Sequence, residues 1–240
     1  FDFVYKTELS NGIIAEVSEE NIPKLSHHMH ENHDRCGGFI VHESLQEAKE
    51  FLQNSRSGEL NKYFIDYSIS NEDEVNSYLP LVAEKNINET ITKLSSYHNR
   101  YYKAQTGIQS SEWIGDHWSD LTANREDASL EVFRHERWPQ PSIILTIKGD
   151  SDETIIIGGH ADSISGYFGG EHNKAPGADD NASGIATITE VIRVLVEGNF
   201  KPKKTLKFMA YSAEEVGLLG SKEIARLYNQ NQEKVIGVIQ

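Results

Sequence analysis

A single cysteine, Cys36, stands among the 240 residues. No disulfide can close within the chain, and a zinc finger, which needs several thiolates, is excluded. Basic side chains are scarce as well: 23 Lys and Arg face 37 Asp and Glu, a net charge of -14. Such a balance disfavours nucleic acid and anionic membrane as partners, because phosphate binding needs clustered cations. No run of about 18 apolar residues is present to span a bilayer. The first ten residues, FDFVYKTELS, have no basic stretch and no long apolar one, so no signal peptide is legible there. G-x-S-x-G, the P-loop and H-E-x-x-H are all missing.

What remains is a chain with 38% hydrophobic and 9% aromatic residues, enough for a folded core of one large or two unequal domains. Residues 1 to about 68 read as a small alternating unit. Strand-like segments at FVYKTEL, GIIAEV, GGFIVH and KYFIDYSI enclose helical patterns at about 19–33 and at SLQEAKEFLQN. The polar, acidic SISNEDEVNS at 68–77 is the natural linker, which gives an α+β domain at 1–77 and a second domain at 78–240.

The second domain opens with a helical pattern through Leu81, Ile87, Ile91 and Leu94, then SSEWIGDHWSDLTA, capped by Ser110 or Ser111. PSIILTIKG and DETIIIGG read as strands, ASGIATITEVIRVLVEG as an amphipathic helix closing on Gly198. KKTLKFMAYSA is a strand, LLGSKEIARLYNQN a helix, and EKVIGVIQ a last strand. Apolar strands alternating with helices predict an α/β fold with a mostly parallel central sheet flanked by helices.

In open α/β sheets, active sites lie beyond the carboxyl ends of the strands. His160 and Asp162 follow one strand, Glu214 and Glu215 follow another, and Asp179 and Asp180 occupy a glycine-flanked turn before a helix. One imidazole and several carboxylates at one sheet edge suit zinc or a similar divalent ion. His160 and Asp162, two apart in extended backbone, project to one side, so Asp162 can orient the imidazole. Adjacent Glu214 and Glu215 point opposite ways, so one can bind metal while the other acts as general base. Spacing does not say which member of the 214–215 or 179–180 pair does which. Each motif has a bland counterpart: a histidine after a strand, Asp-Asp turn chemistry, glutamates at a helix dipole. Their coincidence at the strand ends of one sheet favours the metal site. HHMHENH, with His27, His30 and His33 near helical spacing around Glu31, reads instead as a solvated helix face.

IIIGGHADS, APGADDNASG, EVIRVL and FMAYSAEEVGLLGS closely resemble the zinc aminopeptidases of the M28 peptidase family, above all the secreted bacterial leucyl aminopeptidases of vibrios. The similarity runs from about 79 to 240 and includes NRYY and SEWIGDHW, while residues 1–77, with HDRCGGFIVH, resemble the N-terminal propeptide of those enzymes. The resemblance implies two Zn2+ per complete site, with His160, Asp179 and Glu215 as metal ligands and Asp179 as the bridge. It makes Glu214 the general base, Asp162 the residue that orients His160, and the Asp179–Asp180 peptide cis. It further implies a secreted (extracellular or periplasmic) proenzyme whose substrates are peptides with a free N-terminus, led by leucine or another apolar residue.

The family places one further metal-binding aspartate just after VIGVIQ and a histidine much later, whereas this sequence stops at Gln240. The catalytic domain is therefore expected to be incomplete at its C-terminus, its remainder attached or supplied as a separate fragment. Two rivals stand beside this reading: a glutaminyl cyclase of the same fold, and a non-catalytic M28-like binding domain.

Overall fold

A computed structural model of the chain describes residues 5–9, 12–33, 38–56, 70–166 and 170–240. At the N-terminus, β1 (Tyr5–Leu9) and β2 (Gly12–Glu16) form a two-stranded antiparallel hairpin, followed by α1 (Ile22–His33) and α2 (Leu45–Arg56). GGFIVH does not form the expected strand. Its described residues run irregularly, and Val41 donates its N–H to the carbonyl of Gly217 (3.2 Å) rather than to a sheet. KYFIDYSI lies outside the described residues. Within SISNEDEVNS the chain forms a helix, α3 (Glu72–Tyr78), instead of an unpatterned linker. Glu72, Asp73 and Glu74 fill its first turn, where carboxylates meet the positive end of the helix dipole.

Helices α4 (Glu84–Ser95) and α5 (Gln105–Thr122) come next. Ser110 and Ser111 are not caps: α5 starts five residues earlier, and both serines are buried inside it. Then follow β3 (Ala128–Phe133), β4 (Ser142–Ile147), β5 (Ser151–His160), α6 (Gly184–Glu197), β6 (Lys204–Tyr211), α7 (Leu219–Gln230) and β7 (Val235–Ile239). The strand β3, ASLEVF, is an addition to the elements expected from sequence.

The five strands from β3 onward form one mixed sheet in the order β3-β4-β6-β5-β7. β3 pairs with β4, and β4 with β6, in antiparallel fashion, while β5 pairs in parallel with both β6 and β7. The α/β class holds, but the sheet is mixed rather than mostly parallel: two of its four strand pairings among the described residues are antiparallel, and the two parallel ones lie in the half that carries the functional motifs.

Alternation along β4 splits the core. Ile143, Leu145 and Ile147 join Leu94, Ile114, Trp118, Ile185, Ile192 and Phe208 under α4, α5 and α6. Ile144 faces the other way and joins Ile156, Met209, Tyr211, Ile224 and Tyr228 against α7. Both faces are thus covered, as a period of two in a buried strand requires. Trp118 donates its indole N–H to Thr189 Oγ1 (2.8 Å), which ties α5 to α6. At Gly158 a Cβ would fall 2.4 Å from the Tyr211 ring, so only glycine lets the ends of β5 and β6 close up. On the edge strand β7, Ile236, Val238 and Ile239 are exposed.

Candidate metal centre

The parallel register of β5 and β6 pairs His160 with Tyr211, so both strands end at one level. Ala161 then donates to the carbonyl of Tyr211 (2.7 Å), and the segments 161–164 and 212–216 leave the sheet side by side. Backbone pairing therefore brings His160 to the Glu214–Glu215 turn. That turn is fastened by Asp162, whose carboxylate accepts the N–H of Glu214 (3.0 Å) and of Glu215 (3.2 Å).

The third segment enters through Arg100. Its guanidinium is buried and donates to the carbonyls of Ala161, Pro176 and Gly177, joining the end of β5 to the turn at 175–177. Burial draws its pKa down to about 10, against the opposing pull of Asp162, Glu215 and Asp180. Gly177 then takes a left-handed φ of 51°, and a Cβ there would meet the Asp180 carbonyl at 2.4 Å. At Asp180 and Asn181 the backbone is non-helical, and the cis peptide lies between these two residues.

This geometry shifts one expected role by one residue. Asp180, not Asp179, stands beside His160, with Oδ1 2.9 Å from Nε2. Asp179 is exposed, and its carbonyl accepts from Ser183 Oγ at the start of α6 (2.6 Å). The cis bond follows Asp180 instead of joining the two aspartates, and the irregular backbone turns the second carboxylate inward.

His160 is buried, and its Nδ1 meets the carbonyl of Asp162 (3.1 Å), with the Asp162 carboxylate at 3.6 Å. The ring thus meets the Asp162 main-chain carbonyl more closely than the carboxylate expected to orient it. Burial opposes charge on His160, yet Asp162 and Asp180 outweigh it and hold the imidazole pKa well above the ordinary histidine value. The two glutamates separate as their adjacency requires. Glu214 lies toward His160, Oε2 to Nε2 3.9 Å. Glu215 is only 1% exposed and accepts from the backbone N–H of Ile164 (3.3 Å). Burial raises both carboxyls, that of Glu214 to about 7.

A fourth element was not legible as part of the site. His30, on α1, places Nε2 3.1 Å from Glu215 Oε2 and Nδ1 3.8 Å from Asp180 Oδ2. The solvated-face reading of HHMHENH is therefore wrong for His30. Its helix is held at its N-terminal end: Glu19 pairs with Lys103 at 2.5 Å, and Ile22 packs on the cluster of Tyr101, Tyr102, Trp138 and Val216. Beyond α1, Lys222 reaches the Val41 carbonyl (2.9 Å) and Glu47 (2.6 Å).

The donor set fits zinc: neutral imidazole and carboxylate oxygens from three segments, with the His160 tautomer fixed from its far side. Asp162, Glu214 and Glu215 are all buried, and a bound cation would favour the ionised carboxylates against the burial that raises both glutamates. Glu214 Oε2 is buried with no hydrogen-bond partner among the described residues, although it faces the cluster.

Residues 142–240 match the model of Peptidase family M28. A probable leucine aminopeptidase 1 of Trichophyton verrucosum is 41% identical over 182 residues, 72% of this chain and 48% of that protein. A second probable leucine aminopeptidase of the same fungus is 34% identical over 220 residues, 90% of this chain and 58% of its own length. The chain thus spans about half the length of the curated relatives it matches. Among solved structures, the Legionella pneumophila LapA aminopeptidase superposes with a TM-score of 0.79 at 27% identity, covering 98% of this chain and 64% of that one.

Proposed function

Since residues 142–240 are a Peptidase family M28 segment within a chain homologous to leucine aminopeptidases, we propose that this protein is a secreted, zinc-dependent aminopeptidase in proenzyme form. Its substrates are peptides with a free N-terminus, led by leucine or another apolar residue. The observation that carries the reading is the meeting of His160, Asp180, Glu214 and Glu215 at the carboxyl ends of β5 and β6.

Two zinc ions would be held, one by His160 and Asp180 and the other by Asp180 and Glu215, and when bound they would supply Lewis-acid polarisation of the scissile carbonyl. Glu214 takes one proton from the attacking water as the new C–O bond forms. It then gives that proton to the departing amine nitrogen as the C–N bond breaks, so it ends the cycle as it began. Its buried carboxyl, raised to about 7, is matched to accepting and returning a proton near neutral pH. Asp162 keeps both glutamates in place through their backbone N–H groups and keeps the His160 ring oriented. The surrounding carboxylates also favour the ammonium of a peptide N-terminus over a blocked one. Residues 1–77 act as the propeptide, with α1 lying over the cluster.

Hydrolysis of a leucyl anilide tests this in zinc-loaded protein, before and after a cut between the N-terminal segment and the rest. The cut should raise the rate, and Glu214→Gln should lower it by ~10²–10⁴-fold while zinc content is kept. Turnover undiminished by Glu214→Gln would remove that residue from the mechanism. Equal rates before and after the cut would remove inhibition from the role of the segment.

A further inference from the structure

We propose that His30 is a protein ligand to the cation held by Asp180 and Glu215, so that metal binding fastens the N-terminal segment over the site. This rests on the metal-site reading above and extends it to a residue on a different part of the chain.

His30, Asp180 and Glu215 offer one ligand atom each, all within 4.8 Å of one another. Donors lying about 2.0–2.2 Å from one zinc are at most about 4.4 Å apart, so the trio stands close to the spacing one ion requires. The three come from α1, the turn before α6 and the turn after β6, separated by up to 185 residues in sequence. A zinc site normally takes at least three protein donors, with imidazole and carboxylate among the preferred kinds. His30 completes such a trio by exchanging its hydrogen bond with Glu215 for a lone pair offered to the ion, since both atoms are donors of the set.

The segment is also built to hold the ring there. On one side Glu19 is paired with Lys103, and Ile22 packs beside Tyr101 and Tyr102. On the other, Val41 donates to Gly217, two residues past Glu215, and a Cβ on Gly217 would strike the Val41 side chain at 2.4 Å. These anchors stand before and after His30 in the chain, and its side chain is half-buried (27% exposed). Among the described residues, His30 is the α1 histidine that enters the trio.

A ligand shared between two parts of a chain couples their equilibria. If His30 tightens zinc binding by some factor, zinc tightens docking of α1 by the same factor, within the usual ~5–150-fold range of such couplings. The N-terminal segment would then be sealed most firmly in the metal-loaded protein, with the coordination position that substrate needs already filled.

Hydrogen exchange of the α1 amides, with and without zinc, tests this on the full chain. Zinc should slow exchange of Ile22–His33 at least fivefold in the native protein and leave it unchanged in His30→Ala. The same variant should bind zinc at least fivefold more weakly in a competition titration. A spectroscopic arm stands independently: His30→Cys, in a Cys36→Ser background, should show a thiolate-to-metal charge-transfer band with Co2+. The proposal is overturned if zinc protects α1 equally in His30→Ala, or if zinc speeds exchange by displacing the ring. Glu215→Ala separates the two levels of inference. If it abolishes zinc binding while His30→Ala has no effect, only the role of His30 fails. If zinc binding is indifferent to both, the metal-site reading falls with it.

Discussion

Trp118, Leu145 and Phe208 have no solvent exposure in the sheet region, whereas the buried side chains among the described residues of 12–56 are Ile14, Ser26 and Ala48. The sheet region is held by close-packed apolar faces on both sides. The N-terminal segment is held mainly by polar clasps at the rim: Glu19 to Lys103, His30 to Glu215, Val41 to Gly217 and Glu47 to Lys222. Apolar burial resists local opening, while exposed ion pairs contribute only ~0–1 kcal/mol each. The contrast teaches that two parts of one chain are held by different forces, close apolar packing in the sheet region and polar contacts in the N-terminal segment.

The comparison breaks most sharply under mutation of its strong side. Phe208→Ala should destabilise the sheet region by ~3–5 kcal/mol in chemical denaturation, because it leaves a cavity under α6. Lys103→Ala, which removes one clasp, should cost ~1 kcal/mol or less and register as faster exchange in α1 with the sheet region unchanged. Similar losses of global stability from both variants would show that the two regions unfold as one unit.

Acid sharpens the same comparison. The hydrogen bond from Lys222 first, and further contacts including the Glu43 N–H, hold the Glu47 carboxyl at about 2, below its ordinary 4.5. A carboxyl whose folded pKa is lowered contributes its full share above the unfolded value and loses it as pH falls through the folded one. The clasp between α2 and α7 should therefore weaken progressively from about pH 4.5 down to about 2. Protection factors for exchange across Leu45–Arg56, taken against the intrinsic rate at each pH, should fall over that window, and Lys222→Ala should flatten the response. A pH response unaltered by that substitution would place its origin elsewhere.

The sheet region was legible in sequence, and the N-terminal segment less so, for physical reasons. Buried strands such as SIILTI and TIIIGG are continuous apolar runs, and IATITEVIRVL has the helical period, so β4, β5 and α6 declare themselves. Their direction does not: apolar pattern is the same for parallel and antiparallel neighbours, which is why the antiparallel half with β3 and β4 was not anticipated. β3 itself is a half-exposed edge strand with a short alternation. Spacing left the Asp179–Asp180 pair open, since no spacing rule gives the phase of a turn in which Asp180 and Asn181 leave helical geometry, and the family resemblance had put the ligand at Asp179. His30 was passed over because helical spacing groups it with His27 and His33, and nothing local marks the one that meets Glu215, 185 residues away. The only sequence signal was the density of histidine beside Glu31.

The central claim is that the strand-end cluster is a zinc centre in which Asp180 supplies the turn carboxylate. A zinc competition titration comparing Asp180→Ala with Asp179→Ala tests it most directly, since the two residues are chain neighbours but only Asp180 lies 2.9 Å from His160. The account predicts that Asp180→Ala loses tight zinc binding while Asp179→Ala retains it. Retention in Asp180→Ala with loss in Asp179→Ala, or equal affinity in both, would contradict it.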